Sequence, residues 1–404
     1  MGFLRRLIDR LKPADPPAPP PDAPANPDAP PAPAPAAGRG VLGTLTAVIA
    51  FVSVAAWVVR LGLYLFGNGP PPGPMPPPPA DGGPAVVAGF VPATGWVPDP
   101  AAVERVVREQ AIPAFADTPA GKAAMGDQDA YLWRAVRTAA KLTDSRYPNI
   151  NQRDVGCCVG CGWKHCTDVL LANQIASGQA AEWKPVSAEV YYGLSRVEVG
   201  GGRIRGDGSV GAWAAEAASK FGVVPMEKVG DTDLTVFDPY RARTFGSRGV
   251  PDDVEAVAKQ FPVKGTALVR SWADVKRAVG QGYPVAVCSD QGFTMQRDNN
   301  GFARPSGTWM HCMAIIGVRT QPREGAFILN SWGDQAHTGP VSPGDMPAAG
   351  FWADAATVGR MVAQGDSFAL SDAVGFPARQ LPWFTRAAPA RPFDIARPVF
   401  ALAP

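Results

Sequence analysis

The sequence predicts an α+β fold in which helical segments come before a run of strands. Two stretches with helical patterns lie at 187–197 and 208–221, and Gly222 is the glycine expected after the second. Ser271 and Asp274 have the spacing of a helix N-cap, for a helix ending near residue 280. Three apolar and β-branched runs then predict strands, at 284–289, 311–318 and 326–330. This order indicates two lobes with a cleft between them.

Composition divides the 404 residues into further segments. Residues 13–36 are almost wholly Pro, Ala and Asp, and residues 67–84 are rich in Gly and Pro. Such stretches bury no core and favour extended chain. The expected organisation is a basic and Pro-rich segment at 1–40, a transmembrane helix at 41–66, a linker at 67–94, a helical extension at 95–145, the main domain at 146–375 and a surface tail at 376–404.

The membrane assignment depends on residues 41–59, which are uncharged. At ~1.5 Å per residue, this helix nearly spans a hydrocarbon core of ~30 Å. A buried helix is the alternative, but no flanking segment is suited to cover it. Basic residues precede the span, and no Lys or Arg occurs from 61 to 104. The positive-inside rule then predicts a single-pass protein of the cytoplasmic (inner) membrane, with its N-terminus in the cytoplasm and its main domain outside.

Three separated fragments contain residues suited to one catalytic site. Gln152 lies six residues before Cys158 in N-Q-R-D-V-G-C-C-V-G-C-G-W, His311 lies in W-M-H-C-M-A-I-I-G-V, and Asn330 in F-I-L-N-S-W-G. A thiol at a helix N-terminus opposite an imidazolium has a lowered pKa and becomes a nucleophile. We expect His311 to act as base, Asn330 to orient it, and the Gln152 amide with the Cys158 backbone N–H to bind an oxyanion.

These residues resemble those of the papain-like cysteine peptidases, and N-S-W-G after H-x-M-A-I-I-G-V is the most specific part. The resemblance covers roughly residues 146–375. It implies a helical lobe, an antiparallel β-barrel lobe and a Cys-His-Asn triad that hydrolyses peptide bonds through an acyl-enzyme. It favours the peptidase branch over amidases and transglutaminases of similar fold. No cofactor or metal is implied, and the expected partners are a peptide or protein substrate and the membrane.

Two departures from the family pattern bear on this chain. The aromatic residue that follows the nucleophile in the family is Val159 here, as in bacterial members with a small residue there. The cysteine three before the nucleophile is replaced by Val155, so the first disulfide of the family is missing. The resemblance is thus to a bacterial, membrane-anchored member. Such peptidases often carry an inhibitory helical prosegment, and helices are expected at 100–110 and 120–142. A structural extension is the equal alternative.

Other readings of the same residues remain open. Cys158, Cys161 and His165 fall on one helix face and could bind zinc, as a metal module within the 157–166 Cys/His cluster. An inactive papain-like domain that binds peptides or a partner is another alternative. Cys161 and Cys166 are expected to pack as apolar groups, and Cys288 and Cys312 as buried thiols rather than a disulfide. His337 is expected in solvent. The net charge of +2 gives no field for nucleic acid.

Overall fold

The computed structural model describes residues 93–124, 128–142, 146–178, 182–381 and 385. The predicted segment at 1–40, the predicted transmembrane helix at 41–66, most of the linker and residues 386–404 lie outside this part of the chain. Within the described ranges, none of the helices combines the length and apolar character needed to cross a membrane.

Helices are concentrated in the first half of the described chain, as predicted, although four of the ten follow residue 238. They are α1 (Pro100–Glu109), α2 (Pro119–Lys122), α3 (Trp133–Ala139), α4 (Cys158–Ala176), α5 (Ala188–Gly193), α6 (Gly211–Lys220), α7 (Pro239–Arg248), α8 (Asp252–Ala258), α9 (Trp272–Gly280) and α10 (Ala355–Val362). A 3₁₀ turn, Phe115–Asp117, precedes α2, and α5 continues as a π-helical stretch, Leu194–Val199.

Strands dominate the second half of the described chain, and seven of the nine form one antiparallel sheet. They are β1 (Ala130–Tyr131), β2 (Lys228–Val229), β3 (Thr232–Asp233), β4 (Gly265–Leu268), β5 (Val285–Arg297), β6 (Ala303–Arg319), β7 (Gly325–Leu329), β8 (Gly350–Asp354) and β9 (Phe368–Ser371). The main sheet has the order β4-β9-β5-β6-β7-β8, with β1 also paired to β6, while β2 and β3 pair separately. The predicted barrel lobe corresponds to this seven-stranded sheet. The α+β class is as predicted.

Local sequence signals explain the helix ends. Ser271 and Asp274 form the predicted capping box of α9, each side chain bonding the backbone N–H of the other. Gly222, after α6, has φ +85 and donates its N–H to the Ala217 carbonyl, so the predicted glycine terminates this helix. The start of α9 and the end of α6 are therefore set by local sequence signals.

The central helix α4 lies against both lobes because glycines let it approach closely. A Cβ on Gly162 would come 2.9 Å from the Cys312 sulfur on β6, and one on Gly160 would come 2.6 Å from the Ala188 carbonyl oxygen on α5. A helix-interior glycine costs about 1 kcal/mol relative to alanine. Here it lets α4 join the sheet to the other helices, with its first residue, Cys158, at their junction.

The extension before the main domain differs from the sequence prediction. The single helix expected at 120–142 is instead α2, β1 and α3, with residues 125–127 outside the described part. Tyr131 and Trp133 stack at 4.8 Å between ring centroids, and β1 pairs with β6 through Ala130 and Val318. Burying this aromatic pair and pairing β1 with an open edge of β6 stabilise the fold more than a continuous helix would. The extension therefore shares the core of the main domain.

The start of the predicted surface tail is also buried. Phe376 is 1% exposed, and its ring meets those of Phe115 and Tyr283 at 5.8 and 5.0 Å. Leu381 is also buried. The prediction of a surface course is wrong for these residues, because the aromatic cluster between the extension and the sheet is completed by the tail.

Candidate active site

Cys158 is the first residue of α4 and is fully buried. The backbone N–H groups in the first turn of a helix have no partner within the helix and carry its positive dipole end. The N–H of Cys158 belongs to this set. The sulfur lies near the backbone N–H groups of Cys312 and Gly95, which favour the thiolate and lower its pKa. Cys158 is thus beside the strand residue that follows His311.

His311 and Asn330 are brought together by neighbouring strands. His311 lies within β6 and Asn330 directly follows β7, and both are fully buried. Asn330 Oδ1 accepts the Ser331 backbone N–H at 2.7 Å and lies 2.9 Å from His311 Nε2. Since the oxygen faces Nε2, this ring nitrogen is the protonated one. Nδ1, which then carries the lone pair, has no hydrogen-bond partner among the described residues.

Gln152 reaches this cluster through the loop before α4. Its backbone N–H donates to the Ser331 carbonyl at 2.8 Å, and its side-chain Oε1 accepts the Ser331 hydroxyl at 2.5 Å. The amide nitrogen donates to the carbonyl oxygens of Val155 and Ala93, at 2.9 and 3.1 Å. Contacts through Ser331 therefore join Gln152, Asn330 and His311, while Cys158 lies beside Cys312, the residue after His311.

Trp332 closes the site on one side. Its ring stacks on His311 with centroids 4.6 Å apart and planes at 26°, and its indole N–H donates to the Ala93 carbonyl at 2.9 Å. The sequence identified Trp332 only as part of the N-S-W-G motif. Its position shields the bond between His311 and Asn330 from water.

The cleft is occupied by residues 93–97 of the same chain, here called the covering segment. Gly95 and Trp96 donate their N–H groups to the Met310 carbonyl, both at 2.9 Å. Ser209 donates to the Gly95 carbonyl at 2.8 Å and accepts from Val97 at 2.9 Å, which makes a parallel bridge. The covering segment is therefore bound through its backbone to β6 on one side and to Ser209 on the other.

Trp96 anchors the covering segment to a buried carboxylate. Its indole N–H donates to Asp366 at 2.7 Å, and Asp366 also accepts the N–H groups of Gly211 and Ala212, at the start of α6. Burial raises the pKa of Asp366 to about 7, against the effect of these donors. A cavity of about 460 Å³ lies beside this contact, lined by Trp96, α1 and Asp366. The bond fixes the segment at the end opposite Ala93.

Burial also sets the protonation state of the covered site. It raises the pKa of the Cys158 thiol well above its usual range, opposed by the two nearby backbone N–H groups. It lowers the pKa of His311 to about 4, opposed by the bond to Asn330. The expectation of a lowered thiol pKa is therefore wrong for this covered arrangement, because desolvation favours both neutral forms. A neutral thiol and a neutral imidazole face the covering segment.

The alternative zinc site finds no support in the geometry. Among the residues that the structure describes, no group of three or more His, Cys, Asp or Glu side chains is placed to hold a metal ion. His165 is buried with both ring nitrogens unpaired. All six cysteines are buried free thiols, so Cys288 and Cys312 form no disulfide although they are directly paired across β5 and β6.

His337 was missed by sequence reasoning and belongs to the site. It is 4% exposed, and its Nε2 lies 3.1 Å from Asn330 Nδ2. Its ring packs on Phe351 at 4.7 Å. The prediction of a solvated side chain is wrong, because the loop after β7 folds back over Asn330. A histidine seven residues after Asn330 carries no sequence signal of this contact.

Solved structures similar to this chain include cysteine proteases. Xylellain from Xylella fastidiosa is 16% identical, with a TM-score of 0.42, over 70% of this chain and 96% of that one. A procathepsin B from Trypanosoma congolense is 10% identical, with a TM-score of 0.44, over 69% and 86%. Procathepsin L2 from Tenebrio molitor is 13% identical, with a TM-score of 0.44, over 83% and 95%. No protein-family model and no curated protein matches the sequence.

Proposed function

We propose that this chain is a thiol peptidase that hydrolyses peptide bonds with a Cys-His-Asn triad. The observation that carries the proposal is the orientation of His311, whose Nε2–H is held by Asn330 while Nδ1 is left buried and unpaired. The next residue on the strand, Cys312, lies beside the Cys158 thiol. A base with its lone pair free and its other nitrogen fixed is what a buried thiol needs for activation.

In the proposed reaction, His311 Nδ1 takes the Cys158 proton and the thiolate attacks the substrate carbonyl. The Gln152 amide and the Cys158 backbone N–H donate to the oxyanion, as Gln152 now donates to the Ala93 carbonyl. His311 then protonates the leaving amine, and water hydrolyses the acyl-enzyme. The covering segment must leave the cleft first, so the described form is latent.

The test compares three full-length proteins that all carry Gly95→Val, because a Cβ at residue 95 would lie 2.0 Å from the Gly156 carbonyl oxygen and displace the covering segment. They are incubated with a mixed peptide library, and the products are identified by mass spectrometry. Adding Cys158→Ala should abolish cleavage because it removes the nucleophile. Adding Cys161→Ala changes a buried cysteine one turn further along the same helix and should retain cleavage. Equal cleavage with and without Cys158→Ala would overturn the assignment.

The second candidate is an inactive domain of the same fold that binds peptides. The observation in its favour is that the cleft holds a peptide segment by backbone bonding while the thiol is neutral. An electrophilic epoxide separates the two functions in a chain whose covering segment has been displaced. Labelling at Cys158 supports the peptidase, whereas an unlabelled Cys158 together with peptide binding supports the inactive domain.

A further inference from the structure

We propose that His337 is a positioning residue, whose unprotonated Nε2 fixes the side-chain amide of Asn330 and thereby the catalytic tautomer of His311. The proposal rests on the peptidase function proposed above. It adds a fourth side chain to the line from Cys158 through His311 to Asn330, supplied by the loop after β7.

The hydrogen bonds of Asn330 show, as a first step, which atom of His337 must be an acceptor. Its Oδ1 faces two donors, the Ser331 backbone N–H and His311 Nε2. Its Nδ2, which can only donate, faces His337 Nε2 at 3.1 Å. His337 must therefore accept at Nε2 and carry its own proton at Nδ1. Every polar contact of this fully buried amide then pairs a donor with an acceptor.

The consequence of turning the amide over gives the second step. With Nδ2 toward His311 and Ser331, two donors would face the amide nitrogen, unless His311 moved its proton to Nδ1. That tautomer would present N–H instead of a lone pair toward the thiol and could not act as a base. The acceptor on His337 therefore favours the amide orientation that keeps Nδ1 of His311 free.

The surroundings of His337 keep it unprotonated, which is the third step. Arg297 is 5% exposed, and its guanidinium donates to the His337, Ala348 and Gly350 carbonyl oxygens, at 3.4, 2.8 and 2.7 Å. Burial and this neighbouring cation lower the pKa of His337 to about 3. Nε2 is thus held as an acceptor by the same arginine that fixes the loop.

The test pairs two substitutions that differ in the accepting atom, both made in a Gly95→Val chain whose covering segment is displaced. His337→Leu removes the acceptor, whereas His337→Gln supplies an amide oxygen of similar reach. We expect His337→Leu to lower kcat by roughly tenfold, the effect of one hydrogen bond, with KM unchanged. His337→Gln should retain most of the kcat of the parent Gly95→Val chain. His165→Leu, which changes another buried histidine, should leave kcat unchanged.

A double-substitution cycle separates positioning from general stability. In an Asn330→Ala background, His337→Leu should have no further effect on kcat, since its partner is already absent. An equal loss in both backgrounds would show a structural role only and overturn the proposal.

A readout that does not need activity comes from ¹⁵N-labelled histidines of the detergent-solubilised full-length protein. The chain has three histidines, so substitution assigns each imidazole signal. His311 should be the Nε2–H tautomer in wild type and a tautomer mixture in His337→Leu. An unchanged His311 signal contradicts the proposal. Absence of hydrolysis in every variant, with the signal changed, would instead defeat the peptidase function and leave the positioning role standing.

Discussion

At the scale of single residues, a chain of hydrogen bonds that starts at the Ser331 backbone fixes the side chains of the site. The Ser331 N–H fixes the Asn330 oxygen, that oxygen fixes His311, and the Ser331 hydroxyl fixes the Gln152 amide. Each step places a donor opposite an acceptor in a region without solvent, where a mismatched pair is costly. The N-S-W-G motif therefore supplies geometry for residues far away in sequence, which is why its four positions occur together.

Gln152→Ala tests the oxyanion donor. We expect kcat to fall by roughly 10²–10³, because one of two donors to the developing charge is removed. Ser331→Ala is the matched control, since it removes the hydroxyl that holds Gln152 but keeps the amide nitrogen. It should lower kcat much less than Gln152→Ala does. Steady-state kinetics on one cleaved peptide measure both, and a Gln152→Ala enzyme with wild-type kcat would contradict the role.

The buried imidazole of His337 predicts a pH dependence of stability. Its pKa is lowered from 6.5 to about 3 in the folded chain. Between these values the unfolded state binds the proton and the folded state does not. The contribution of His337 is therefore present above pH 6.5 and lost as pH falls toward 3, by at most about 1.4 kcal/mol per pH unit.

His337→Leu should remove this dependence, so the difference in unfolding free energy between variant and wild type should change across that window. Urea unfolding at pH 4, 5, 6 and 7.5 measures it. A difference that stays constant with pH would show that the pKa of His337 is the same in the folded and unfolded chain.

The predictability of the site residues follows their chemistry. Cys158, His311 and Asn330 were recognisable because their residue types and motif contexts are tied to one reaction. His337 and Asp366 were not recognisable, since their contacts with Asn330 and Trp96 exist only in the folded chain. The thiol pKa was mispredicted for a related reason: desolvation by the covering segment depends on residues more than sixty positions upstream.

At the scale of elements, the covering segment is held by the close approach of two glycines. A Cβ on Gly95 would lie 2.0 Å from the Gly156 carbonyl oxygen, which is backbone and cannot swing aside. Gly95→Val should therefore expel the segment and raise both alkylation of Cys158 and peptide turnover. Overpacking of this kind shifts the covered state by roughly tenfold or more.

Gly344→Val is the matched control for Gly95→Val. Gly344 is exposed and has no atom within 4 Å of an added Cβ. Iodoacetamide labelling of the six cysteines, resolved by peptide mapping, gives the rate at Cys158 in each protein. Equal rates in wild type, Gly95→Val and Gly344→Val would show that residues 93–97 do not limit access to the thiol.

Element boundaries were predictable where the apolar pattern ended with the element. Strand β7 and the capped helix α9 are such cases. The strands predicted at 284–289 and 311–318 are the apolar parts of β5 and β6, which continue to 285–297 and 303–319. Their outer halves are polar and pair with register shifts after Ser289. Cross-strand pairing rather than burial extends them, and a sequence pattern based on burial does not detect it.

At the scale of the whole molecule, the extension divides into two functional parts. Residues 98–124 and 128–142 share the core, with Phe115 and Trp133 fully buried and the Gln281 amide bonded to the Ala120 carbonyl at 2.7 Å. The covering segment is the part bonded to Met310 and Gln152 at the site. We infer that activation displaces residues 93–97 and leaves the rest in place, because removing the remainder would open the hydrophobic core.

The last prediction concerns where the peptidase works. The uncharged run at 41–59, the basic residues before it and the absence of Lys and Arg from 61 to 104 predict a membrane anchor with the described domain outside the cytoplasmic membrane. The linker at 67–94 is rich in Pro, and at ~3.1 Å per residue it reaches on the order of 80 Å. The enzyme would therefore act close to the membrane. Protease added to intact spheroplasts should digest the domain while sparing residues 1–39, as read by tags at each end. Protection of the domain until the membrane is broken would show the opposite orientation, and release of the chain by a high-salt wash would show that 41–66 is no anchor.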